Sequence, residues 1–161
     1  MSHPNPDDKI CISKAGSQDV DTIVAITDAA YTKYIPLIGR KPQPMTADYS
    51  RMVVDDSIWL LSVKSQPVGV LVLIHEPEDL LIYSVAILPD SQKQGLGRRL
   101  LAWAEGQAIQ EGYWSIRLYT NELFKENIRL YTSLGYQETS REPYLYSTLV
   151  HMRKKLAIPQ P

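Results

Sequence analysis

Apolar and polar residues alternate over positions 9–14. Ile10 and Ile12 share one side and Cys11 and Ser13 the other, which predicts a first strand stopped by Gly16. The period then changes. Val20, Ile23, Val24 and Ala30 recur at spacings near three and four, the mark of an amphipathic helix with Ser17 as its cap and an end near Tyr34. Pro36, Gly39, Pro42 and Pro44 predict an irregular segment over 36–44, and a short helical pattern follows over 47–54. Two strand-like runs, 58–63 and 68–74, flank a turn expected at Ser65-Gln66-Pro67. Residues 80–88 are apolar almost throughout, as in a strand buried on both faces, except for the polar pair Tyr83 and Ser84.

Leu96, Leu100, Trp103, Ala104 and Ala108 line one side of a long helix that Gly112 ends in a left-handed cap. A strand over 114–119, a helix over 125–134 closed by Gly135, a strand from Tyr136 to about 139 and a last strand over 145–152 complete the chain. Three antiparallel strands followed by a strand-helix-strand crossover imply a mixed α/β (α+β) fold. Its core is a central mixed, mostly antiparallel sheet of about seven strands with helices on both faces. No repeat or linker divides the sequence, so a single domain is expected over 1–161, with loose tails at about 1–8 and 157–161.

Composition narrows the function classes. With 161 residues, 44% of them hydrophobic, the chain can build one core. Seventeen Lys and Arg against eighteen Asp and Glu leave a net charge of -1, with no field to steer nucleic acid or an acidic membrane. Cys11 is the only cysteine, so no internal disulfide forms; a buried apolar role and a reduced, cytoplasmic compartment are expected. Residues 1–9 lack the apolar stretch of a secretory signal, and no apolar run reaches the roughly 20 residues of a membrane span. His3, His75 and His151 show no metal-ligand spacing, so no metal is expected.

The most informative segment joins the buried strand to the long helix. Gly95 and Gly97 let backbone approach a ligand closely, and the free N–H groups of a helix start form a nest for anions such as a pyrophosphate. Lys93, Arg98 and Arg99 add positive charge where the helix dipole already favours anions. A Walker A loop is absent, and a dinucleotide fingerprint would need glycine or alanine at position 100, which is Leu100. The remaining alternative is a helix start whose glycines serve only the turn.

Val85-Ala86-Ile87-Leu88-Pro89 followed by Gln92-x-x-Gly95-x-Gly97 resembles the acyl-CoA signature of the GNAT superfamily of acyl-CoA-dependent N-acetyltransferases. The resemblance implies that backbone groups of Val85, Ala86 and Ile87 pair with a pantetheine arm. It also implies that Gln92, Lys93, Gln94, Gly95, Leu96, Gly97 and Arg98 hold the pyrophosphate of acetyl-CoA. Downstream, Asn127, Leu130-Tyr131 and Gly135-Tyr136 resemble the family's later motif, although many members carry the asparagine at the position of Phe124. Asn127 is carried over as a cofactor-binding residue and Tyr131 as the catalytic donor to the CoA sulfur. Together the motifs span residues 58–137.

Acyl transfer from a thioester to an amine needs a neutral nucleophile and a proton for the departing thiolate. Deprotonating a lysine-like amine of pKa about 10.4 costs roughly 4.6 kcal/mol at pH 7, so a general base helps. Many relatives carry a glutamate in the strand before the glycine loop; here that stretch reads Ile82-Tyr83-Ser84-Val85. Tyr83 or Ser84 holding a water, or His75 acting directly, are the candidates left. The acceptor is expected on the early helix and the irregular segment, at Tyr31, Tyr34, Arg40, Met45, Asp48 and Tyr49; one arginine and one aspartate there would suit an amine that also bears a carboxylate, and a solvated loop with ordinary packing is the equal alternative, so the acceptor stays open among a small amine, an amino acid, an aminoglycoside and a protein terminus. By analogy with related domains a homodimer is expected. Two other classes stay open: a non-catalytic acyl-CoA sensor and a regulatory domain binding another nucleotide.

Overall fold

The structure, a computed structural model, describes residues 9–157; the expected tails, apart from Ala157, and His3 lie outside the described residues. The elements are β1 (Ile10–Lys14), α1 (Val20–Tyr31), α2 (Ile35–Ile38), α3 (Tyr49–Asp55), β2 (Ser57–Val63), β3 (Gln66–His75), β4 (Leu80–Ile87), α4 (Leu96–Gln110), β5 (Ser115–Asn121), α5 (Lys125–Ser133), β6 (Gln137–Tyr144) and β7 (Ser147–Lys155). The seven strands form one sheet in the order β1-β2-β3-β4-β5-β7-β6. Every neighbouring pair is antiparallel except β4 with β5. This is the mixed, mostly antiparallel sheet that the element order implies. Among the described residues no helix is long and apolar enough to cross a membrane.

Strand periodicity splits the core into two layers. In β3, Leu71 and Leu73 join one cluster with Leu100, Leu101 and Ala104 of α4, while Val70 and Val72 join another with Ile23, Ile26 and Ala30 of α1 and Met52 of α3. Successive side chains point to opposite faces, so a strand covered on both sides has no polar positions to alternate. Burying a leucine such as Leu100 in this way stabilises the fold by roughly 1.5–3 kcal/mol.

Several local expectations are corrected. Ser17 does not cap α1. It opens a 3-10 turn, Ser17–Asp19, and the Asp19 carboxylate instead accepts from the Gly16 N–H at 2.8 Å. The segment over 36–44 is not wholly irregular, because Pro36 sits in the first turn of α2, where its missing N–H has no intrahelical partner to lose. Gly39 then ends α2 at φ +73. The β2–β3 turn falls at Lys64 and Ser65, with φ of +52 and +68, and Gln66 and Pro67 belong to β3. Two left-handed turn residues match the twist of a hairpin. β6 runs to Tyr144 rather than to about 139, and Cys11 is exposed rather than buried. β1 is an edge strand whose Ile10 and Ile12 pack on the core, which leaves Cys11 on the outer side.

Candidate active site

β4 and β5 pair only through Leu80, Leu81 and Ile82 with Ile116, Arg117 and Leu118, and then part. The cause lies in β4. Its register against β3 steps from Leu73↔Ile82 to Val72↔Ser84, so Tyr83 is the extra residue of a β-bulge. A bulge bends its strand and sharpens the local twist, which opens the sheet between residues 83–87 and the end of β5. It also shifts the side-chain phase. Leu80 and Ile82 pack with α4 before the bulge, and Val85 and Ile87 do so after it.

The backbone of β4 past the bulge is divided between its two sides. Leu88 N–H donates to Val68 O at 2.8 Å, and alternation turns Ala86 toward β3 as well. Val85 and Ile87 therefore face the gap. Their carbonyls accept from Tyr31 Oη at 3.3 Å and from Gln92 Nε2 at 3.0 Å. Of the three residues expected to pair with a pantetheine arm, Ala86 is the exception: its backbone serves β3 and its side chain is buried beneath α1.

Beyond β4 a 3-10 turn, Pro89–Ser91, leads to Lys93 at φ +63 and to Gly95 at φ +79, the residue before α4, which has no side-chain cap. The Arg99 N–H is the first to reach back, to Gly95 O at 3.2 Å, so the N–H groups of Leu96, Gly97 and Arg98 have no intrahelical acceptor. A Cβ at Gly95 or Gly97 would meet no atom within 4 Å. Packing therefore does not demand glycine at 97; its bareness keeps open a groove lined by Lys33, Ser91, Gln92, Lys93, Gly95, Gly97 and Arg98. Leu96 turns its side chain into the core and Gln94 does not line the groove. Lys33, absent from the expected site, donates to Gln92 Oε1 at 3.1 Å and brings a cation from the 3-10 turn, Thr32–Tyr34, that follows α1.

A second cavity lies on the other side of the parted strands. It shares four residues with the groove: Tyr31, Val85, Asn127 and Tyr131. Tyr83 and Ser84 line it, and the Ser84 hydroxyl lies 3.2 Å from that of Tyr31. Burial pushes the phenols of Tyr31 and Tyr83 up to about 12. Tyr131 is pushed up further by burial and then by the neighbouring phenols of Tyr31, Tyr34 and Tyr136, and its hydroxyl makes no hydrogen bond to the described residues. Tyr34 lines the groove rather than this cavity, stacks on Phe124 with ring centroids 4.2 Å apart, and accepts from Asn127 Nδ2 at 3.2 Å. Phe124, at the position where many members of the resembled family carry asparagine, thus supplies a ring that stacks on Tyr34.

The expected acceptor residues divide. Arg40 reaches the cavity. Asp48 is exposed and caps α3 by accepting from the Arg51 N–H, and Tyr49 is buried with its hydroxyl donating to Pro44 O at 2.6 Å, so neither lines it. Met45 does not line it either, and His75 pairs with Glu111 at 2.6 Å away from it. Sequence spacing gave no signal for Tyr119 and Tyr144, which strand register brings into the wall. No Asp, Glu or His is among the described residues lining the cavity, and no group of described residues gathers as a metal-ligand set.

A family model described as an acetyltransferase (GNAT) domain matches residues 54–138, more than half of the chain. The chain belongs to the GNAT acetyltransferase family. The match runs from the end of α3 through β4, the glycine loop and α5 into β6, and so takes in every part of the groove except the end of α1 and the 3-10 turn, Thr32–Tyr34, that follows it. Among curated proteins no sequence match is found for this GNAT domain. Solved structures resemble it at low identity and share its fold. The PaiA N-acetyltransferase of Thermoplasma acidophilum, in complex with coenzyme A, is 16% identical, with a TM-score of 0.77 over 91% of this chain and 98% of that one. The ribosomal-protein-S18-alanine N-acetyltransferase of Escherichia coli is 19% identical, with a TM-score of 0.77 over 94% and 96%. A GNAT family acetyltransferase of Elizabethkingia anophelis with acetyl-CoA bound is 15% identical, with a TM-score of 0.69 over 92% and 99%.

Proposed function

We propose that this GNAT protein transfers the acetyl group of acetyl-CoA to a primary amine by direct attack, with no covalent enzyme intermediate. The observation that carries the reading is the meeting of groove and cavity at Tyr31, Val85, Asn127 and Tyr131. The groove suits the cosubstrate. The N–H groups of Val85 and Ile87 are the pantetheine contacts, as in an added strand, and the bare N–H groups at the start of α4, with Lys93 and Arg98, take the pyrophosphate.

Tyr131 is the donor to the departing thiolate, because its proton is committed to no other described residue. A phenol near 10 gives its proton to a thiolate whose conjugate acid lies near 8.5 at a cost of about 2 kcal/mol. Burial alone does not widen that gap, since it penalises thiolate and phenolate alike. The bond between Asn127 and Tyr34 ties α5 to the 3-10 turn after α1 and so keeps Tyr131 at the junction. Tyr83 and Ser84, side by side at the bulge, relay the amine's proton outward through water. Neither acts as a charged base, for the Tyr83 phenol is neutral well above pH 7.

Calorimetric titration with acetyl-CoA and CoA, beside acetyl-CoA consumption over a panel of primary amines, tests the reading. Micromolar binding with amine-dependent consumption is expected. Failure to bind acetyl-CoA, or binding with no consumption for any amine, would overturn it.

A further inference from the structure

We infer that the acceptor is a small amine that also carries a carboxylate, and that Arg40 receives the carboxylate. This rests on the acetyl-transfer reading and narrows its substrate. Arg40 is the only charged side chain among the described residues lining the acceptor cavity. The hydroxyl-bearing rings around it, Tyr31, Tyr83 and Tyr119, are all pushed above the ordinary phenol value by burial and stay neutral. The lining thus carries one positive charge and no negative one. A polyamine, an aminoglycoside or a lysine-rich peptide would bring further cations toward a guanidinium with no carboxylate to pair them.

Arg40 is also held ready. Nη1 donates to Leu145 O at 2.5 Å and the guanidinium lies over the Tyr144 ring, 5.3 Å from its centroid. Those are its only contacts of this kind with described residues, so most of its five N–H donors are left for a planar anion, which a carboxylate matches two at a time. The segment that follows it is tied at two points: Tyr119 Oη donates to the Gln43 side-chain Oε1 at 3.1 Å, and Tyr49 Oη donates to the backbone carbonyl of Pro44 at 2.6 Å. Fixing the segment in advance lowers the ordering cost of binding. The absence of an acidic or imidazole base in the lining points the same way for the amine. A peptide-like α-amine, with pKa about 8, sheds its proton far more readily at neutral pH than a lysine-like amine at about 10.4.

The probes are dipeptides ending in phenylalanine, with a free C-terminal carboxylate or with the corresponding amide, whose α-amines ionise alike. Binding is measured by calorimetry in the presence of CoA, and turnover by acetyl-CoA consumption. The acid is expected to bind at least tenfold tighter and to show at least tenfold higher kcat/KM. Arg40→Gln should reduce the acid to the level of the amide, leaving the amide and CoA affinity unchanged, and Arg40→Lys should restore part of the preference. Equal binding and turnover of acid and amide, no detectable binding of the acid, or equal losses for both in Arg40→Gln would overturn the inference. The two readings fail separately. Equal turnover leaves acetyl transfer standing without the carboxylate contact. Arg40-dependent binding of the acid with no acetyl-CoA consumption supports the contact and counts against transfer.

Discussion

The Tyr31 hydroxyl donates to the Val85 carbonyl across 3.3 Å and lies 3.2 Å from the Ser84 hydroxyl, so the last residue of α1 is fastened to the open edge of β4. Tyr31→Phe removes both contacts and keeps the ring. It should cost about 1 kcal/mol of stability, the net worth of such a bond, and lower kcat/KM for both substrates because the shared wall loosens. Thermal melts and steady-state kinetics check this; a melt and kinetics identical to wild type would show that the contact does not position the junction.

Tyr131→Phe separates proton donation from binding. The ring still packs on Tyr136, so the Kd for acetyl-CoA should hold within about twofold while kcat falls roughly 10²-fold, the scale of a lost general acid. Unchanged turnover would remove the donor assignment.

The pH profile follows from the same phenols. Tyr31 sits at about 12 and Tyr131 is raised further, so each keeps its proton throughout the working range and loses it only as pH rises through the raised value. With no carboxylate or imidazole in the cavity lining, kcat/KM should rise with pH along the acceptor's own deprotonation and show no falling limb below about pH 10. Using acceptors of pKa about 8 and about 10 should move the rising limb with the amine. A limb fixed across acceptors would reveal an enzyme base.

Gly97 offers a test of the groove that spares the fold. Because an added Cβ meets nothing and the backbone there is ordinary helix, Gly97→Val should change stability by less than about 1 kcal/mol yet weaken CoA binding more than tenfold. Gly95→Ala differs, since its φ of +79 adds strain of about 1–2 kcal/mol. Calorimetry beside thermal melts separates the two.

Tyr49→Phe tests the support of the acceptor segment. Losing the bond to Pro44 O should cost about 1 kcal/mol and raise the acceptor KM several-fold, with acetyl-CoA affinity unchanged. An unchanged acceptor KM would show that the segment is held without it.

What could be read in the sequence was what repeats or carries a motif. Leu96, Leu100, Ala104 and Ala108 marked α4 because one face of a helix is apolar, and the two glycines marked the loop that opens it, which the structure places along a groove. β6 was cut short because its residues, Gln137 through Pro143, are all exposed and leave no apolar alternation; pairing with β7 is what makes it a strand. Tyr83 and Ser84 stood out as polar in an apolar strand, but the bulge that sets them side by side depends on register against β3, which no local pattern encodes. Asp48 and Tyr49 were misplaced for a related reason: they are the cap and first residue of α3, and that helix turns Tyr49 into the core.

The exposure of Cys11 affects how the protein is measured. A reagent that reports free CoA by reacting with thiols will also react with this side chain, adding a stoichiometric background that assays following loss of the thioester absorbance avoid. The same side chain is an asset. As the single cysteine of the sequence, on an edge strand three places from β4 in the sheet, it accepts one fluorophore or one surface linker by maleimide coupling, at a position that lines neither the groove nor the cavity.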